Sequence, residues 1–166
     1  VDGPPPGIVN ASREDMMKLA SADFANGGTI PMRFTADGDN VSPALAWHGA
    51  PEEAKSFALI VEDPDAPSGL FTHWTIWDIA PTTTRLDEEI VDIPMVNKMK
   101  QGENDFSRIG WGGPSPPRGH PHRYFFHLYA LDEKLPLSPG ATRDEVNRAL
   151  AGHIIAEATM MARYGR

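Results

Sequence analysis

Two stretches of the chain concentrate side chains that can do chemistry. EDPDAPSGLFTHW (62–74) sets Asp63 and Asp65 on either side of Pro64 and ends on His73 and Trp74. GGPSPPRGHPHRY (112–124) sets His120 and His122 on either side of Pro121, with Tyr124 two residues further on. Imidazole and phenol groups donate hydrogen bonds to an anion, and a carboxylate can orient an imidazole or receive an ammonium group. Prolines fix φ, and the neighbouring glycines permit tight turns, so both stretches read as rigid loops beside strands. If the flanking strands are neighbours in one sheet, the loops meet at one end. Asp63, Asp65, His73, His122 and Tyr124 then surround one pocket.

Each residue also has a plainer reading. An Asp before Pro commonly bonds its own turn backbone, and Asp65 is expected to keep that role even where Asp63 does not. His73 reads equally well as a strand-edge histidine bonded to a carbonyl. His122 and Tyr124 share a strand face, because residues two apart do, and that suits a buried Tyr as well as a site. His120 reads as a solvated loop residue, and His127 as either sheet core or surface. Arg118 and Arg123 read as solvent-facing or as a pocket rim. A metal-dependent hydrolase is the competing chemistry, since Asp63-x-Asp65, His73 and His120-x-His122 are metal-ligand types. Prolines inside both clusters, and the lack of an H-E-x-x-H spacing, count against it. A serine hydrolase is weaker still, with no G-x-S-x-G and with Ser115 set between prolines.

The elements that must position these residues are short. KSFALIVE (55–62), HWTIWDIA (73–80) and RYFFHLYAL (123–131) are rich in β-branched and aromatic residues and bounded by Pro, Gly or Asp. Trp74 and Trp77 fall on opposite faces of their strand. KLASADF (18–24) and PMRFTA (31–36) are weaker strands around Asn26-Gly27. Thr142 and Glu145 form a capping box, and Val146, Ala149, Leu150 and Ile154 fall at helical spacing. That helix ends at Gly152 or continues through Ile154, and EATMMARYG follows as a final strand. Residues 81–112 read as a long surface loop, and SREDMM (12–17) as a short helical turn capped by Ser12.

Composition sets the outer bounds. The 166 residues suffice for one domain with a core. With 15 Lys and Arg against 23 Asp and Glu, the net charge is −8, which argues against non-specific nucleic-acid binding. There is no cysteine, so disulfides and thiolate metal sites are excluded. No apolar run reaches membrane-spanning length, and no signal-peptide pattern is evident. A cytoplasmic location is the first expectation, with a periplasmic one left open.

Five segments in order resemble the phosphatidylethanolamine-binding proteins, in particular the bacterial Raf-kinase-inhibitor-like branch. They are ADGDNVSPALAW (36–47), DPDAPSG (63–69) with His73-Trp74, QGENDFSRIGWGGPSPP (101–117), HRY (122–124) and AGHIIAEATMMARYG (151–165). The likeness begins near Lys18, so residues 1–16 stand as an N-terminal extension and 17–166 as the domain. The resemblance implies a mainly β protein, a Greek-key β-sandwich with a C-terminal helix. It implies a binding or regulatory protein rather than an enzyme, with no cofactor and no metal. Its pocket for phosphate or phosphorylethanolamine-like anions would be walled by Asp63, Asp65, Pro67, His73, Pro117, His122 and Tyr124. A kinase or other enzyme is the implied protein partner, and a homodimer is the implied assembly. Ala36 and Ser115 stand where the bacterial branch often has Cys, so thiol-linked behaviour is not expected. Ala66-Pro67 is the expected site of a cis peptide.

Overall fold

The computed structural model describes residues 16–166. The expected helical turn at Ser12 lies outside the described residues. Nine strands and one α-helix follow in order: β1 (Lys18–Ala20), β2 (Leu45–His48), β3 (Ser56–Asp63), β4 (Phe71–Ile79), β5 (Arg85–Leu86), β6 (Met95–Val96), β7 (Met99–Gln101), β8 (His122–Leu131), α1 (Arg143–Leu150) and β9 (Ile154–Tyr164). Strands β1-β2-β5 form a small sheet, and β6-β7-β4-β3-β8-β9 form a large one. Every pairing between named strands is antiparallel. Among the described residues, no helix is long and apolar enough to cross a membrane.

The large sheet is covered on both faces, which explains why its central strands are apolar throughout. Phe57, Leu59, Val61, Trp74 and Phe126 pack towards the small sheet, against Leu19, Leu45, Trp47 and Leu86. Ala58, Ile60, Trp77 and Leu131 point the other way, onto Val146 and Leu150 of α1. Trp74 and Trp77 therefore do occupy opposite faces, and both are core.

α1 begins at the expected capping box. Thr142 accepts from the Glu145 backbone, and the Glu145 carboxylate accepts from the Thr142 backbone. It stops at Leu150 rather than at Gly152 or beyond, and Ile154 is the first residue of β9. PMRFTA is not a strand; Met32–Phe34 form a turn of 3-10 helix. Residues 81–112 are not a bare loop. They supply β5, β6 and β7, and they fold over fully buried Gln101. The Gln101 amide accepts from Trp74 Nε1 at 2.7 Å and donates to the carbonyls of Val91 and Ile93.

Candidate functional site

Topology brings the two chemically rich stretches together. β3 lies between β4 and β8 and runs antiparallel to both, so its last residue meets the first residues of each. Asp63 ends β3, His73 is near the start of β4, and His122 opens β8. His122 and Tyr124 share a face as the period-two rule requires, with their rings stacked at 6.5 Å.

His73 depends on an irregularity. Val61 pairs with Trp74 but Glu62 pairs with Thr72, so His73 is the extra residue of a β-bulge. A bulge re-aims a side chain that strict alternation would send to the other face. Here the His73 ring sits 5.2 Å from Tyr124, 4.9 Å from Phe71 and 5.5 Å from Phe106, on the inter-sheet side. Its Nδ1 donates to the Gly112 carbonyl at 2.6 Å, and Gly112 N returns a bond to the His73 carbonyl. The carbonyl-bonded reading of His73 and the pocket reading thus hold together.

These residues enclose a cavity of about 250 Å³, lined by Asp63, Ala66, Pro67, Ser68, Phe71, His73, Phe106, Ser115, Pro116, Pro117, His122 and Tyr124. Small-molecule pockets run from about 300 Å³ upwards, so only a small ligand or group would fit. Six of the seven expected wall residues line it: Asp63, Pro67, His73, Pro117, His122 and Tyr124. Asp65 does not. Its carboxylate accepts from the Arg123 backbone and from the Arg123 guanidinium at 2.8 and 2.9 Å, on the outer side of the loop. That hydrogen bond from Arg123 holds the Asp65 carboxyl down at about 2. Arg123 is thereby committed to Asp65, and His120 and Arg118 are exposed loop residues. His127 falls between its two expected placements, half-buried between Glu62 and Thr159. The described peptide bonds are all trans, Ala66-Pro67 included. The turn around it is closed instead by Gly69 N donating to Ala66 O, with Gly69 at positive φ.

Asp63 has two roles. One oxygen accepts from Asp65 N at 2.7 Å, the turn bond expected of an Asp before Pro. The other accepts from His122 Nδ1, also at 2.7 Å, with both side chains buried. This fixes the His122 ring and leaves Nε2 as its free nitrogen. Burial among the rings lowers the His73 pKa, so His73 is neutral near pH 7 with the proton on Nδ1. Burial, seconded by the Asp63 charge, raises that of Tyr124, so its hydroxyl stays a donor. The set can therefore offer a donor from Tyr124, two imidazole nitrogens and a fixed carboxylate to one small polar group.

The residues the sequence reading missed are mostly apolar. Phe71 and Phe106 form one wall, in edge contact at 4.8 Å. Phe106 comes from the loop after β7, where an aromatic residue in a polar run was the only signal. Asp63, Asp65, His73, His120 and His122 do not assemble into a metal cage. Among the described residues the group at ligating distance is Asp132, Glu133 and His153, far along the chain and largely exposed.

Fold and site together define a two-sheet β-sandwich with a small half-apolar cavity where three neighbouring strands of its large sheet end. The family model described as phosphatidylethanolamine-binding protein matches residues 20–165. A UPF0098 protein of Aquifex aeolicus is 48% identical over 153 residues, covering 91% of this chain and 90% of its own. One from Chlamydia muridarum is 39% identical, covering 89% and 98%. The solved phosphatidylethanolamine-binding protein homolog of Chlamydia trachomatis superposes with a TM-score of 0.84 at 38% identity, covering 92% of this chain and 99% of its own. E. coli YbcL, described as a new member of the mammalian family, gives a TM-score of 0.84 at 33% identity, covering 90% and 98%. The chain belongs to the phosphatidylethanolamine-binding protein family.

Proposed function

We propose that the protein is a non-enzymatic binding or regulatory protein whose cavity takes a small phosphate-like anion. The observation that carries this is the convergence of His73, His122 and Tyr124 on one concave site, with Asp63 fixing His122 at 2.7 Å. The family name supports it, since it refers to a phosphorylated headgroup. Binding is favoured over hydrolysis by how the polar groups are committed. Asp63 is held by His122 and by its own turn, Asp65 by Arg123, and the Ser115 hydroxyl contacts Arg166. Prolines 67, 116 and 117 make the wall rigid, so little ordering entropy is lost when a ligand enters.

The test is an amide NMR titration with O-phosphorylethanolamine and with inorganic phosphate at pH 6 and pH 8. Saturable shifts confined to 63–74 and 112–124, weaker at pH 8 and lost in His122→Ala, are the expected result. Absence of shifts at millimolar ligand removes the anion-binding function and leaves the fold standing. Inhibition of a kinase or other enzyme through the cavity rim is the finer part of the same reading. It requires that saturating anion and the partner compete.

A further inference from the structure

The charges and walls of the cavity narrow its ligand further, on the reading that it binds an anion. Among the described residues, no Lys or Arg lines it. Of the guanidinium groups around it, Arg123 is matched by Asp65 and Arg166 by Asp37, while Arg118 sits on the exposed loop beyond Pro117. Arg108 lies 5.5 Å over the Phe106 ring and is not one of the lining residues. Asp63 faces His122 from β3, so even a fully protonated His122 leaves that pair with no net charge. Asp105, which accepts from Thr72 N, adds a further negative charge near His73. A dianion placed here meets no cation in the wall itself and has Asp63 and Asp105 beside it, which is unfavourable.

His73 adds a directional requirement. With Nδ1–H spent on the Gly112 carbonyl, the neutral ring has only the Nε2 lone pair left. His73 is 3% exposed and its ring packs against three aromatic rings, so taking up a proton there is disfavoured. A ligand that reaches Nε2 therefore fits best if it brings its own proton. Most of the remaining wall is apolar, with Phe71, Phe106, Pro116 and Pro117 prominent.

We propose that the cavity takes a small phosphomonoester with an apolar, ring-like body, bound as its singly protonated monoanion. Its P–OH donates to His73 Nε2, and its body lies along Phe71 and Phe106. A phosphodiester, as in an intact phospholipid headgroup, has no such proton and is the poorer ligand. Phosphomonoesters lose their second proton near pH 6, so at pH 7.5 the ligand must regain one proton from solvent on binding.

Calorimetry of the full chain tests this with phenyl phosphate, in buffers of high and low ionisation heat. The expected result is uptake of about one proton at pH 7.5, falling towards none at pH 5. Phenyl phosphate should bind about tenfold tighter than methyl phenyl phosphate, and about tenfold tighter than O-phosphorylethanolamine, which lacks the ring. Binding without proton uptake, or a diester that binds equally well, overturns the proposal while leaving an anion site. Silence from all three ligands overturns the anion site itself. In Phe106→Leu the preference for phenyl phosphate over O-phosphorylethanolamine should shrink; an unchanged preference overturns the apolar half of the proposal.

Discussion

Two aspartates two residues apart have opposite fates, and the difference lies in which side of the loop each one faces. Asp63 is 2% exposed and holds His122, whereas Asp65 sits outside the cavity with Arg123. Asp63→Ala should cost about 1–3 kcal/mol in denaturant unfolding, because it strands a buried imidazole N–H, and it should abolish anion binding. Asp65→Ala should cost at most about 1 kcal/mol, as exposed ion pairs do, and should leave anion affinity within a factor of about two. The Asp65 carboxyl is depressed to about 2, so its contribution is present above its ordinary value of 3.8 and is lost as pH falls from there to about 2. His73 acts at higher pH. Its folded pKa lies below 6.5, so the folded state binds fewer protons than the unfolded one. Its contribution is present above pH 6.5 and lost as pH falls below it, and urea titrations at pH 7.5 and 5.5 should show a smaller loss in His73→Gln. Sequence alone carried the identities of Asp63, His73, His122 and Tyr124, because their chemistry is written in their side chains. It assigned the turn role to Asp65 before Asp63, the reverse of the fold, since their facing is set by a turn that only the folded loop defines.

At the scale of elements, β3, β4, β8 and the capped helix were legible because alternation, β-branching and the T-x-x-E pattern are local signals. The bulge at His73 was not. It is a mismatch between two strands, two residues against one, and no property of β4 by itself reveals it. The segment from 81 to 112 was opaque for a related reason: its order comes from Gln101 and from contacts with β4 rather than from its own periodicity. Gly112 shows how tightly the two pocket loops are joined. A Cβ there would lie 2.4 Å from the Phe106 ring, so Gly112→Ala must push the apolar wall out of place. It should cost about 1–3 kcal/mol and weaken anion binding, read by thermal melts and the same NMR titration. Thr142→Ala removes the helix cap on the far face. It should cost about 1 kcal/mol with anion affinity unchanged.

The described fold is organised around one large sheet that serves two cores. β3, β4 and β8 contribute to the core against the small sheet and to the core beneath α1. Neither face can be lost without exposing the other, so tryptophan fluorescence and far-UV circular dichroism should report one coincident unfolding transition. The same shared strands end at the cavity, which makes the site a product of sheet order rather than of either loop alone. The most direct test of that account is the imidazole nitrogen spectrum of the free and anion-saturated protein at pH 7. Free His73 should appear neutral with its proton on Nδ1, and the Nε2 resonances of both His73 and His122 should move together on saturation. Anion binding that leaves both imidazoles unmoved would contradict the account, because the anion would then be held somewhere other than where these three strands end.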